Sequence, residues 1–172
     1  MESIIEHLVK HIGDSMPGMR VVDEDYGQLE MLDQENRDSY PLVFPAVLID
    51  APDVQWDNIS GLSQKGLATV RVKLCIDCYD DTHYGSDTIE KISERETMRK
   101  SLHRFLQGHR IYEHSALVRT SSRFYTFSHG IKVYEATYTL EVTEITDKNT
   151  TRPVTPLKIS ISPSFSANEK RR

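Results

Sequence analysis

The chain is poor in several things that would point to a familiar chemistry. Two cysteines in 172 residues cannot build a disulfide framework. No apolar run approaches the ~20 residues that a membrane-spanning helix needs, so no membrane contact is expected. A basic excess is missing: 21 Lys and Arg against 26 Asp and Glu give a formal net charge of −5. A general nucleic-acid binder needs a cationic surface, so no nucleic-acid partner is expected. Neither a G-x-S-x-G elbow nor a glycine-rich phosphate loop is present, and no serine or tyrosine is fixed beside a base. The sequence offers no catalytic residue, no metal ligand set and no cofactor site, and an enzyme is not expected.

What is present is alternation. Ala68–Cys78 (ATVRVKLCIDC) places Ala68, Val70, Val72, Leu74, Ile76 and Cys78 on one parity and Thr69, Arg71, Lys73, Cys75 and Asp77 on the other. Successive side chains of a strand point to opposite faces, so this is a long strand with one apolar and one polar face. Tyr134–Thr143 repeats the pattern. Two such strands predict an antiparallel sheet with a core on one face and an open face on the other.

Around these strands the chain reads in order. Ile4, Ile5, Leu8, Val9 and Ile12 make a helical stripe, with Ser3 as cap and Gly13 as stop. Met19–Val22 is a short strand. Asp23–Asp38 is acidic and reads as an exposed loop or weak hairpin around Tyr26–Leu32. Leu42–Asp50 is apolar on both parities, a covered strand interrupted by Pro45. Val54-Gln55-Trp56 and the loop Asn58–Gly66 form a hairpin into the organising strand. A second helix is predicted from about Thr88 to Gln107, then a strand over Ala116–Ser128, a turn, and the last strand over Ile131–Ile145. From Asp147 the composition shifts to Lys, Asn, Thr, Pro and Ser. Within it Leu157, Ile159 and Ile161 alternate with polar residues, a candidate extra strand for another subunit's sheet edge. The expectation is one α+β domain over residues 1–146, an antiparallel twisted sheet of four to five strands with two helices on one face. Residues 147–172 form a C-terminal arm. The acidic, amphipathic start MESIIEHLVKHIG is unlike a secretory leader, so synthesis in the cytosol is expected.

Three constellations invite a chemical reading, and two of them fail on geometry. Cys75 and Cys78 are three apart in a strand, so their sulfurs face opposite ways and cannot converge on a metal. His7 and His11 have zinc-protease spacing, but Leu8 follows His7 where the general base would stand; a solvated helix face is the plainer reading. The third is a charge pattern. Arg71 and Lys73 share the polar parity of their strand, and Arg119, Arg123 and Tyr125 share one parity of theirs. If those faces coincide, the open side is a basic, aromatic patch facing the acidic Asp23, Glu24 and Asp25 of a neighbouring copy. Trp56, the single tryptophan, is either a hairpin anchor or an interface anchor. On this reading, reversing Arg71 and Lys73 to glutamate leaves the fold intact.

The element order, together with PLVFPAVLIDAPDVQW and QKGLATVRVKLCIDCY, resembles the small tail-terminator (tail-completion) proteins of long-tailed phages and prophages. The likeness spans roughly Glu2–Ile145. It implies a non-enzymatic subunit that forms a homo-oligomeric ring, a hexamer in that family. Such a ring caps the tail tube protein, stops its polymerisation and docks to the head–tail connector protein. The implied location is the host cytoplasm during assembly and then the virion tail. Left open beside it are a connector or neck component and a soluble protein-binding module that uses the open sheet.

Overall fold

A computed structural model describes residues 1–33, 42–60 and 63–145, the side chains of Asn58 and Ser60 excepted. The end of the acidic segment, residues 61–62 of the expected hairpin loop, and the arm expected over 147–172, with its candidate strand, lie outside the described residues. The order is α1 (Glu2–Ser15), β1 (Val21–Glu24), β2 (Ala46–Ile49), β3 (Asp53–Ser60), β4 (Ser63–Ile76), α2 (Lys91–Leu106), β5 (Val118–Thr126) and β6 (Lys132–Ile145). The class is α+β, as the alternation predicts. The six strands make an open sheet in the order β1-β2-β4-β6-β5, with β3 also paired to β4.

The sheet is mixed. β1 lies parallel to β2, with Val21 opposite Ala46, while every other pairing is antiparallel. The short strand expected over Met19–Val22 forms at Val21–Glu24, and its parallel pairing makes mixed a sheet that was expected to be antiparallel. β4 and β6 pair along their full fourteen residues, from Ser63 opposite Ile145 to Ile76 opposite Lys132. β4 is therefore the spine. Its first half holds β3 on the outer side and its second half holds β2.

Both helices pack on the face carrying Ala68, Val70, Val72 and Leu74. Ile4, Leu8 and Ile12 of α1 join Leu102 and Leu106 of α2 in one core with those strand residues and Tyr138, Leu140 and Val142. Gly13 does not stop α1. The helix runs on to Ser15 and ends where the Met16 amide bonds the Ile12 carbonyl, 2.8 Å. α2 begins at Lys91, and no side-chain bond caps it. Upstream of it the Ser86 and Thr88 hydroxyls donate to the Asp81 carbonyl.

The opposite face is not fully open. Leu29, Leu42, Ala46, Leu48, Cys75, Ile131 and Val133 form a second, smaller core there. The stretch around Tyr26–Leu32, expected as an exposed loop or weak hairpin, is a turn leading into a single 3-10 turn, Glu30–Asp33, and it is not wholly exposed, because Leu29 plugs that core. All four residues of β2 are buried because it has a core on each side. β4 ends at Ile76, short of the expected Cys78; Cys75 lies in the second core and Cys78, just past the strand, packs against the first.

Candidate functional site

The face away from the helices carries a row of charges whose sign alternates from strand to strand. Lys73 on β4 stands directly opposite Glu135 on β6, which stands opposite Arg123 on β5. Arg123 grips Glu135 with two parallel bonds, Nε to Oε1 at 3.0 Å and Nη2 to Oε2 at 2.8 Å. Arg71 adds a contact to Glu135 at 3.4 Å and binds Asp50 at 2.7 Å. Lys73 closes the row against Asp25, and its Nζ is 3.3 Å from Asp50. Glu135 is buried to 7% exposure, and three cationic side chains surround it on its own and neighbouring strands.

The turn that delivers Asp25 is locally determined. Gln28 folds back and donates to the Glu24 carbonyl at 2.6 Å, while its Oε1 accepts from the Tyr26 amide at 2.9 Å. Gly27 takes a φ of +91°, open to glycine at little cost, and its amide donates to Asp25 at 3.0 Å. Burial pushes the Asp25 carboxyl up, but the bonds from Lys73 and the Gly27 amide outweigh it, leaving Asp25 below its ordinary value. Asp50 is raised, by burial and by the adjoining Asp25. Burial pulls Lys73 down, yet the two carboxylates hold it above its ordinary value, so it stays cationic.

This geometry changes the charge pattern read from sequence. Asp25 meets Lys73 within the same chain, so that pair is not held out to a neighbouring copy. Asp23 and Glu24 lie in β1, where Asp23 bonds the Glu24 amide at 2.9 Å. Arg119 does not share a face with Arg123 and Tyr125. A bulge between Arg119 and Ser121 inserts Thr120 and flips the parity, so Arg119 pairs with Tyr138 on the helix side. Tyr125 stays on the polar face, where the Arg123 guanidinium lies 4.9 Å from its ring centroid and the second core begins. Trp56 anchors the hairpin. It stands opposite Gly66, where a Cβ would lie 2.8 Å from the indole and 2.7 Å from Val54, so the indole lies over bare backbone.

The sheet ends in β5 on one side and in β1 and β3 on the other, and β5 and the polar face of β3 lie open. β5 forms the last strand in the order, and seven of its nine residues are exposed. Phe124 on its helix side is 57% exposed and stacks on Tyr134 at 4.4 Å. Between α2 and β5–β6 lies a groove of about 320 Å³, lined by Leu74, Leu102, Phe124 and Tyr134 with Arg99 and Arg119 at its polar rim. Arg99 is paired with Glu96, whereas Arg119 has no carboxylate partner among the described residues. β3 forms the opposite edge. Its Asp53, Gln55 and Asp57 face away from the helices and are exposed.

Sequence reading missed one cluster. His109, in the turn after α2, joins His7 and His11. Its ring stacks on His11 at 3.6 Å, and its Nε2 lies 2.8 Å from Nε2 of His7. His11 Nε2 also contacts the Phe105 carbonyl at 3.0 Å. Parallel stacked imidazoles cannot aim their lone pairs at one ion, and among the described residues no group of three potential ligands is placed to hold a metal. The helical spacing of His7 and His11 was visible in the sequence; nothing local in it announced His109, 98 positions beyond His11. Cys75 is no nucleophile: burial, then nearby Asp25, pushes its thiol up to about 12.

No family model matches the chain, and no curated protein matches it. Among solved structures, a chain in the virion of a native gene transfer agent particle aligns with 80% of this chain and 84% of its own length, at a TM-score of 0.48 and 10% identity. At that score the alignment is a coarse likeness, and the functional reading rests on the residues. No described helix is long and apolar enough to cross a membrane.

Proposed function

We propose that this protein is a non-enzymatic structural subunit of a phage-like tail, one that assembles with copies of itself into a ring. The ring would cap the tail tube and present the surface that meets the head-side connector. The observation that carries this reading is β5, a nine-residue edge strand exposed along most of its length and bearing an uncovered Phe124. An edge strand of this length normally needs cover or charge to prevent pairing with another chain. The resemblance in the FPAV, VQW and ATVRVKL run supports the tail-terminator role in particular.

The test is the solution mass, by light scattering after size exclusion, at several protein and salt concentrations and with purified tail tube protein. A species near six subunits is expected, alone or on the tube. A strict monomer under all of these conditions overturns the ring and leaves a monomeric binding module.

A further inference from the structure

Resting on the reading that this chain assembles with itself, we propose that the copies join edge to edge. β5 of one copy pairs antiparallel with β3 of the next, and one sheet runs on through successive subunits.

Neither strand has a strand partner on its outer side among the described residues, although the Arg119 amide of β5 already donates to Gln107 Oε1 at 3.0 Å, and the two lie on opposite sides of the sheet, β3 beside β1 and β2. Neither contains a proline, and the bulge in each lies near one end, after Arg119 in β5 and after Asn58 in β3, which leaves Ser121–Thr126 and Asp53–Asn58 regular. The sense of the chain also fits. β3 runs antiparallel to β4, β4 to β6 and β6 to β5. A second copy set beside β5 in the same orientation therefore offers β3 antiparallel to it, with its helices on the same side. Each copy then presents one edge of each kind, a head-to-tail arrangement that generates a ring if the rotation closes. β3 flanks Ser63–Thr69 of β4, whereas β5 lies level with Thr69–Ile76. Joining them slides each copy along the strands, and closed sheets of tilted strands need such a stagger.

Charge identifies the partner edge. Across the polar face the sign alternates: cationic Arg71 and Lys73 on β4, anionic Glu135 on β6, cationic Arg123 on β5. The row stops at a free edge on a cation, and Arg123 remains 67% exposed beyond its grip on Glu135. The strand that continues the alternation must be anionic on that face. β3 holds Asp53 and Asp57 there and no base, and neither carboxylate has an ion-pair partner among the described residues. β5 presents Arg123 on that face and holds no acid anywhere. A second alternating row already crosses the other half of the sheet, where Asp57 on β3 stands opposite Lys65, which binds Glu141 of β6 at 2.7 Å. On the helix side the same pairing sets Val54 and Trp56 of the next copy alongside Phe124.

Cysteine cross-linking tests this in the full chain, on a Cys78→Ser background. Ser121→Cys is combined in turn with Asp53→Cys, Gln55→Cys and Asp57→Cys, all exposed positions on the polar face. With mild oxidation one register should give a covalent ladder that ends at the ring number. Separately, Asp53→Lys with Asp57→Lys should weaken assembly about tenfold or more at low salt, with native circular dichroism retained although position 57 stands opposite Lys65. A chain that forms rings by light scattering yet cross-links in none of the three registers overturns the β5–β3 contact and leaves the ring standing. So does assembly indifferent to the Asp53 and Asp57 reversal. A chain that stays monomeric even with tube protein overturns the ring itself.

Discussion

The two faces of β4 are held by different physics. On the helix side Ala68, Val70, Val72 and Leu74 are all within 1% of full burial, packed by side chains from two helices and β6. On the other side Lys73 is nearly as inaccessible, 13% exposed, yet it is held by Asp25 and Asp50. One face is made by removing apolar area from water, which is non-directional and tolerant of shape change. The other needs each charge to find its counter-charge, because a desolvated charge left alone is costly. A period-two pattern therefore identifies which side of a strand is the core, but not whether the polar side is wet.

The sharpest way to break the comparison is to put a charge on the apolar face. Val72→Asp buries a carboxylate with no partner, among Val70, Leu74 and the helices. Such a charge costs several kcal/mol even after relaxation, comparable to the whole stability of a small domain, about 5–15 kcal/mol. The expected result is loss of the cooperative thermal transition and of native circular dichroism. A well-folded Val72→Asp chain would mean the faces are reversed.

The second prediction removes the cation from the polar face. Lys73→Ala leaves Asp25 and Asp50 side by side, half out of water, with only the Gly27 amide and Arg71 to steady them. Truncating one member of such a partly buried pair is expected to cost about 3 kcal/mol, read as a lower urea midpoint at neutral pH. Restoring most of that loss with Asp25→Asn would show that the penalty comes from the stranded carboxylates. An unchanged midpoint would show Lys73 to be solvent-screened. The same geometry overturns the sequence-based expectation that glutamate at positions 71 and 73 spares the fold. That change would place two new carboxylates beside Asp25, Asp50 and Glu135.

These two faces also mark how far the sequence could be read. Strand alternation in Ala68–Cys78 and Tyr134–Thr143 identified the spine of the sheet, its burial and the side on which the helices sit. Those signals are local and repeat every two residues. What stayed hidden depended on long-range pairing. Lys73 and Asp25 are 48 positions apart, and the turn that joins them is built by Gln28 and Gly27, which look like ordinary loop residues. One inserted residue, Thr120, reverses the facing of Arg119 relative to Arg123, and no period count across that strand could reveal it. The partners that β3 and β5 offer each other were hidden for the same reason: an edge exists only once the strand order is known.

The third prediction concerns the polar exception on the helix side, where α1 meets the turn after α2 through His7, His11 and His109. Burial, together with the neighbouring imidazoles, holds His7 and His109 below their ordinary value. Tyr112 lies edge-on to His7 at 4.9 Å, and the nearest full charges on the same helix, Lys10 and Glu6, pair with each other. In the unfolded chain His7 and His109 titrate near 6.5, higher than in the fold. Just below that pH the unfolded state binds more protons, so stability falls as acid is added and levels off only once the folded histidines protonate too. Well above it His7 and His109 are neutral in both states and contribute no pH dependence. The Nε2 pair adds to the effect, because two imidazolium rings would set donor against donor at 2.8 Å. Chemical denaturation between pH 7.5 and 5 should therefore show a midpoint that is flat at first and then declines, the smallest of the three effects. His109→Gln should flatten the decline, since glutamine keeps a polar contact and cannot titrate. A wild-type midpoint that rises on acidification would place these imidazoles in contact with a carboxylate instead of with one another.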